Sequence, residues 1–271
     1  LIMISPASTN PKLTLQQLEP SWRWKRNVFR VCTTDDVQGS YGADFTWGKL
    51  PPKADSPQAK KIRKVAVIHD KTPYGQGLAE EFAKQFRKLG GTVVSFDGVA
   101  IGEKDFKALL TRIKTAKPQA LYFGGIYSEC GLVIKQAREL GLDIPLLSGD
   151  GSYSPELIKI AGVKTCENVY ITMVGAAPEK IPEAGEFVKK FKTKYPNVDM
   201  QPYDHYTYEA TNIVLNAITK VGENKEAIID VVHRTKYQGV LGETAFDEKG
   251  DTLNRIISIH RVKEGRFAPL E

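Results

Sequence analysis

The stretch VAVIHDKTPYGQG, Val65 to Gly77, constrains the fold more than any other part of the chain. Val65 to Ile68 form an apolar, β-branched-rich run of the kind found in strands buried on both faces. Polar residues His69 to Thr72 end the run and Pro73 punctuates it. Leu78, Phe82, Phe86 and Leu89 follow at helical spacing. A buried strand, a polar turn and an amphipathic helix make one βα unit. Ligands of open parallel sheets are met at the carboxyl ends of the strands. Tyr74 therefore stands where a ligand would be met; the alternative is a tyrosine that only packs over the start of the helix.

The same pattern repeats downstream. Thr92 to Phe96 reads as a strand, and Phe106, Leu109, Leu110 and Ile113 mark a helix. Gln119 to Phe123 is a strand ended by Gly124-Gly125, and Leu132, Val133, Ala137 and Leu140 mark the next helix. Ile144 to Leu147, a short helix with Leu157 and Ile158, and Asn168 to Met173 complete the series. Strands alternating with helices of this length predict a doubly wound parallel α/β sheet over roughly Arg63 to Val174.

Gly175 to Pro182 is a Pro- and Ala-rich link, after which the pattern changes. Three helices follow without strands, carrying Phe187, Val188, Phe191 and Tyr195, then Tyr206, Ala210, Ile213, Ala217 and Val221, then Ile228, Ile229 and Val232. Glu243 to Phe246 and Ile256 to Val262 read as short strands. They are expected to join the hinge region or the sheet. Asp247-Glu248-Lys249-Gly250-Asp251 lies between them as a tight turn, with a spacing that does not match a calcium loop. At the other end, Leu1 to Ser5 reads as one buried strand, and Thr46 to Lys61, with Pro51-Pro52, as loop. One strand cannot cover the apolar faces of three helices. About three βα units, on the order of 100 residues, are therefore expected to be missing before Leu1. The first four residues are too short and lack the basic flank of a signal peptide, and a chain opening on Leu is expected to be processed or trimmed.

Composition narrows the function. At 271 residues and 26% charged side chains the chain has room for a large core, and no apolar run approaches the ~18 residues of a membrane span. The net charge of +6 does not point to nucleic acid, because its lysines and arginines interleave with acids along helix faces. The densest basic cluster, Lys60, Lys61, Arg63 and Lys64, reads as a solvated flank of the strand. The three cysteines, Cys32, Cys130 and Cys166, form no CxxC pair and permit at most one disulfide within the chain. The four histidines show no metal-ligand spacing.

Several segments, in order, match one family: LIMISPASTNPKLT, KVAVIHDKTPYGQGLA, VAIGEKDFKALLTRIK, ALYFGGIYSECG and GETAFDEKGD. Over nearly its whole length, and most weakly at Ser40 to Lys60, the chain closely resembles the amino-acid-binding proteins of branched-chain amino acid ABC transporters. The resemblance implies a two-lobed type I periplasmic binding protein fold, α/β with doubly wound parallel sheets, lobe 1 being incomplete for want of an N-terminal half-lobe. It implies lobe 1 from residues 1–62 and 175–240, and lobe 2 from 63–174 and 241–271. It further implies a periplasmic monomer that needs no cofactor. Such a protein holds an amino acid in the cleft between hinged lobes and delivers it to a permease in the inner membrane.

Carried over by position, the backbone of Ala7 and Ser8 and the backbone and hydroxyl of Thr9 should grip the ligand's polar end. Tyr74 should reach in from the other lobe, Asp150 should pair with the ammonium, and Tyr203 should face the ligand side chain. A zwitterion needs oriented donors at one end and a carboxylate at the other. Two departures leave the ligand open. Ile126 occupies the aromatic position after Gly124-Gly125, with Tyr127 one step later, and Asp150 is a methylene shorter than the glutamate of some members. Relatives in the superfamily also bind aromatic acids, amides and urea-like ligands.

Two other classes compete with a transport receptor. An enzyme would need a GxSxG elbow, a phosphate loop or metal-ligand spacing, none of which the sequence contains. His69-Asp70 is the only acid–base pair at a suggestive strand end, and an ordinary polar strand exit explains it. A sensory or regulatory ligand-binding domain of the same fold differs from a transport receptor in nothing that the residues express.

Overall fold

A computed structural model describes residues 1–48 and 62–270. The chain divides into two compact units, one of Leu1–Thr34 with Val174–Ile256, the other of the described residues of Asp35–Met173 and Ile257–Glu271.

The second unit is built on a seven-stranded sheet. Five strands are parallel: β3 (Lys64–His69), β4 (Thr92–Gly98), β5 (Ala120–Gly124), β6 (Leu146–Ser148) and β7 (Val169–Met173). The expected parallel pairing across Val65, Val93, Leu121 and Val169 is therefore present. The later strands β10 (Ser258–Lys263) and β11 (Arg266–Pro269) extend this sheet antiparallel beyond β7, in the order β11-β10-β7-β6-β5-β3-β4. Side chains alternate across the sheet. Val65, Val67, Tyr122 and Tyr170 enter one core with Phe82 and Phe86. Ala66, Ile68, Leu121, Phe123, Val169 and Ile171 enter the other with Leu110 and Ile134. Burial of both faces explains why β3, β5 and β7 read as continuous apolar runs, whereas β4, at the sheet edge, buries no residue.

The helices of this unit follow their patterns. In α3 (Pro73–Lys88) Leu78, Phe82 and Phe86 are fully buried, and the Thr72 hydroxyl accepts the Gly75 N–H at 2.8 Å to cap the first turn. α4 (Lys107–Thr115), α5 (Tyr127–Glu139) and α6 (Pro155–Ala161) lie where the apolar spacing placed them.

One helix was not legible. α2 (Asp35–Trp47) takes in Thr46 and Trp47, which read as the start of a loop; residues 49–61 of that loop lie outside the described residues. α2 meets α3 closely at Gly39, and at its C-terminal end Trp47 packs edge-on against Phe86 at 5.8 Å between ring centroids. A Cβ on Gly39 would sit 2.8 Å from the Phe82 backbone nitrogen, so the two helix backbones approach closely only through glycine. Of the basic cluster, Lys60 and Lys61 fall outside the described residues, Lys64 is exposed, and the Arg63 guanidinium lies 3.6 Å from the Trp47 ring centroid.

The first unit has less sheet. β1 (Met3–Ser5) pairs in parallel with β2 (Val28–Arg30), and β8 (Tyr237–Gly239) forms a hairpin with β9 (Gly242–Thr244). Leu1–Ser5 is not the buried strand that its apolar residues predict: Leu1 is 90% and Met3 42% exposed, and only Ser5 is buried. Among the described residues β1 has one pairing neighbour. α1 (Lys12–Leu15), α7 (Gly185–Lys194), α8 (Asp204–Val221) and α9 (Lys225–His233) complete the unit. α7 buries no residue, whereas α8 buries Ala210, Ile213 and Ala217 and α9 buries Ile228, Ile229 and Val232.

The unit boundaries differ from the sequence reading. Residues 35–47 pack with the second unit through α3, and 241–256 with the first, where Phe246 meets Phe29 at 5.1 Å between ring centroids. The Asp247–Asp251 segment is the expected turn, closed by the Gly250 N–H on the Asp247 carbonyl at 3.0 Å with Gly250 at φ +96°. Its flanking strands pair elsewhere, however, rather than with each other. Lys249 Nζ sits 3.3 Å from Asp247 Oδ2 and 3.0 Å from Asp251 Oδ2, so an ammonium occupies the place a metal would take. Cys32, Cys130 and Cys166 are buried and form no disulfide among the described residues, and burial pushes the thiols of Cys130 and Cys166 up to about 12.

Candidate ligand-binding site

In the second unit the chain leaves β3 for β4 on one side, then returns to place β5 on the other side of β3. This reversal of winding opens a crevice at the carboxyl ends of β3 and β5. Tyr74 follows β3, Ile126 follows β5, and Asp150 follows β6. The turn after β3 is rigid: Asp70 Oδ1 accepts from the Thr72 N–H at 2.9 Å and from its hydroxyl at 2.6 Å. His69 Nδ1 accepts the Lys71 N–H at 3.1 Å, so the His69-Asp70 pair serves the strand exit. Gly75 and Gly124 bring helix and strand together, since a Cβ on Gly75 would lie 2.5 Å from the Gly124 carbonyl oxygen.

That turn delivers Tyr74 to Asp150. The Tyr74 hydroxyl donates to Asp150 Oδ1 at 2.9 Å and accepts the Gly151 N–H at 2.9 Å. The ring lies in a cradle of glycines: a Cβ on Gly151 would stand 2.8 Å from Tyr74 Cε1, and one on Gly149 3.0 Å from the hydroxyl. Burial and then the charges of Asp150 and Asp35 push the Tyr74 phenol well above its ordinary range, so it remains a proton donor at any physiological pH. Ile126 is 41% exposed at the start of α5, with Tyr127 in the first turn behind it. Asp35, whose charge acts on both Tyr74 and Tyr122, was not singled out in the sequence because no pattern marks the buried acid of a glycine-packed helix.

The first unit holds Ala7, Ser8, Thr9 and Tyr203. The loop after β1 is tied from within. Ser5 Oγ accepts the Ser8 N–H at 2.9 Å and the Ala7 N–H at 3.4 Å, and Asn10 Oδ1 accepts the Lys12 N–H at 2.9 Å. Two of the expected backbone donors are thus engaged within the loop. The Thr9 N–H and hydroxyl have no hydrogen-bond partner among the described residues, although Thr9 is buried. Tyr203, half-buried, precedes α8 with its ring edge-on to Tyr206 at 6.0 Å.

Arg30, which the sequence reading passed over, anchors this loop. Its visible signal is a charged residue inside the apolar run VFRVC. Its Nε lies 2.7 Å from Asp251 Oδ1 in a buried ion pair. Burial raises the Asp251 carboxyl, but Arg30, Thr14 and Lys249 together outweigh it and hold the group below its usual 3.8. A depressed carboxyl contributes stability that is fully present above its unfolded pKa, about 3.9, and is lost as pH falls through the folded value. Chemical denaturation followed by circular dichroism should therefore give a stability that drops below about pH 4, and Asp251→Asn should shrink that acid dependence. An unaltered acid limb in the variant contradicts the assignment.

A family model described as "Periplasmic binding protein" matches residues 2–266. The chain belongs to the periplasmic binding protein family. Among curated relatives it is 38% identical to a Leu/Ile/Val-binding protein homolog 1 of Brucella suis, over 93% of this chain and 62% of that protein. It is 35% identical to an amino acid binding protein of Pseudomonas aeruginosa, again over 93% of the chain and 62% of the relative. The chain thus spans less than two thirds of the length of these relatives. Among solved structures, a leucine binding protein, LivK, of Thermotoga maritima superposes with a TM-score of 0.84 at 30% identity, covering all of this chain and 72% of that one. The resemblance drawn from the motifs is confirmed at the level of family, and the type I periplasmic binding protein fold with it. Periplasmic binding proteins are solute receptors, and no helix among the described residues is long and apolar enough to cross a membrane.

Proposed function

We propose that this periplasmic binding protein is an extracytoplasmic receptor that captures an amino acid, branched-chain or similar, and delivers it to an ABC permease without chemical turnover. The observation that carries the reading is the Tyr74–Asp150 hydrogen bond at the winding reversal of the sheet. It sets a carboxylate, oriented by a phenol, at the place where α/β sheets receive ligands. Asp150 would take the ammonium, and the Thr9 N–H and hydroxyl would take the carboxylate. Tyr203 and Ile126 would meet the side chain. The names of the relatives support the same substrate class: two are Leu/Ile/Val- and amino-acid-binding proteins, and the Thermotoga structure is of a leucine binding protein.

Thermal unfolding with and without leucine, isoleucine or valine tests this. Ligand at a hundred times its Kd should stabilise the protein by about 2.7 kcal/mol, and mass spectrometry should recover the ligand unchanged. Stabilisation by an aromatic acid or an amide, with none by the three amino acids, would overturn the substrate class. Recovery of an altered ligand would overturn the receptor role.

A further inference from the structure

We propose that Arg30 is the positioning residue of the loop at residues 6–10, setting the peptide plane from which Thr9 presents its N–H to a ligand carboxylate. The proposal rests on the reading of that loop as the carboxylate grip. Arg30 is fully buried on β2, with partners near each of its guanidinium nitrogens. Nη1 donates to the Ser8 carbonyl at 2.7 Å and the Asn10 carbonyl at 2.9 Å, and Nη2 donates to Thr14 Oγ1 at 2.8 Å. Nε faces Asp251, whose Oδ1 also accepts from the Thr14 hydroxyl at 2.7 Å.

The consequence follows from peptide geometry. In a trans peptide the C=O of one residue and the N–H of the next point in opposite directions within one plane, and the described residues contain no cis bond. Drawing the Ser8 carbonyl onto Nη1 therefore turns the Thr9 N–H away from the guanidinium. That N–H is the donor left without a partner, while the N–H of Ser8 is spent on Ser5. A buried ion pair is by itself poor evidence of stabilisation, since desolvation offsets its attraction. What the arginine adds here is a planar fork that reaches two carbonyls, a hydroxyl and a carboxylate at once, which a lysine ammonium cannot match.

The test uses Arg30→Lys, which keeps the charge opposite Asp251 and removes the fork. Two readouts separate positioning from general stability. The first is the backbone order of Ala7 to Asn10 in the unliganded protein, followed by amide relaxation. Order parameters near about 0.85 in the native protein should fall below about 0.6 in the variant, with the β3–β7 sheet unchanged. The second is affinity for leucine against leucinol, which lacks the carboxylate. Leucine should weaken about tenfold or more, and leucinol should hardly change.

A folded variant with native loop order, or with leucine and leucinol weakened equally, overturns the proposal. Failure of the native protein to bind leucine counts against the proposed function, and loop order then decides on Arg30 alone. If Arg30→Lys does not fold, Thr14→Val, which removes the Nη2 acceptor, should lower loop order in the same direction. Unchanged order there overturns the proposal.

Discussion

Asp150→Asn should weaken leucine binding by about 3 kcal/mol, roughly two orders of magnitude in Kd, while leaving the fold intact. The substitution keeps an acceptor for the Tyr74 hydroxyl, 2.9 Å away in the native protein, and the Gly151 N–H still holds the other side of that hydroxyl. Only the charge is lost. An ammonium brought out of water against a neutral amide keeps most of its desolvation cost and loses its counter-charge. Leucine stripped of its ammonium, 4-methylpentanoate, makes no such pair, so its affinity should change little. Calorimetric titration of both ligands against native and variant protein reads the difference. Equal losses for the two ligands would mean that Asp150 supports the site's shape rather than the ammonium. No loss for leucine would remove Asp150 from the site and the amino-acid reading with it.

Phe82→Ala should cost about 3–5 kcal/mol of folding free energy. Phe82 is fully buried, stacks on Tyr122 at 3.8 Å between ring centroids, and stacks on Phe86 at 5.8 Å. Helix α2 closes over the same place, where a Cβ on Gly42 would meet Phe82 Cδ2 at 3.6 Å. The cavity left by truncation would be walled by a sheet on one side and a glycine-packed helix on the other, both poorly able to collapse into it. Urea denaturation measures the loss, which is a large share of the 5–15 kcal/mol typical of a domain. Lys84→Ala, on the exposed side of the same helix, should stay within about 0.5 kcal/mol. A loss below about 1 kcal/mol for Phe82→Ala would mean that this face is not a working core.

The candidate residues were legible to different depths. Tyr74 could be placed at a strand's carboxyl end from the βα pattern alone, because a polar turn between a buried strand and an amphipathic helix has few other geometries. Its partner could not be read that way. Asp150 lies 76 positions away, and only the stacking order of β3, β5 and β6 brings it to the Tyr74 hydroxyl. The family resemblance named Asp150, and the glycines at 149 and 151 show in space why the neighbours of that acid are small. Arg30 was missed for a related reason. A single arginine in a short apolar run looks like a strand edge until the Ser8 and Asn10 carbonyls are seen to converge on it.

Local periodicity determined the elements from β3 to β7 and the helices between them, together with α8 and α9. Apart from β4, which lies at the sheet edge and buries no residue, these segments bury continuous or regularly spaced large apolar side chains, and such spacing has one structural reading. Tertiary structure decided the remainder. Helix α2 buries Ala43 and Phe45 beside glycines and polar residues such as Gln38, Gly39, Gly42 and Thr46, and that mixture presents no regular large-apolar stripe to read. β10 and β11 owe their place to antiparallel pairing with β7, a choice of partner that period-two alternation does not encode. Leu1 and Met3 look like core residues, yet among the described residues too little covers their side chains, which are 90% and 42% exposed. The boundaries between the two units follow the same rule. Which unit a segment joins depends on what it packs against, as with Phe246 on Phe29, and side-chain contacts between distant segments leave no trace in local sequence.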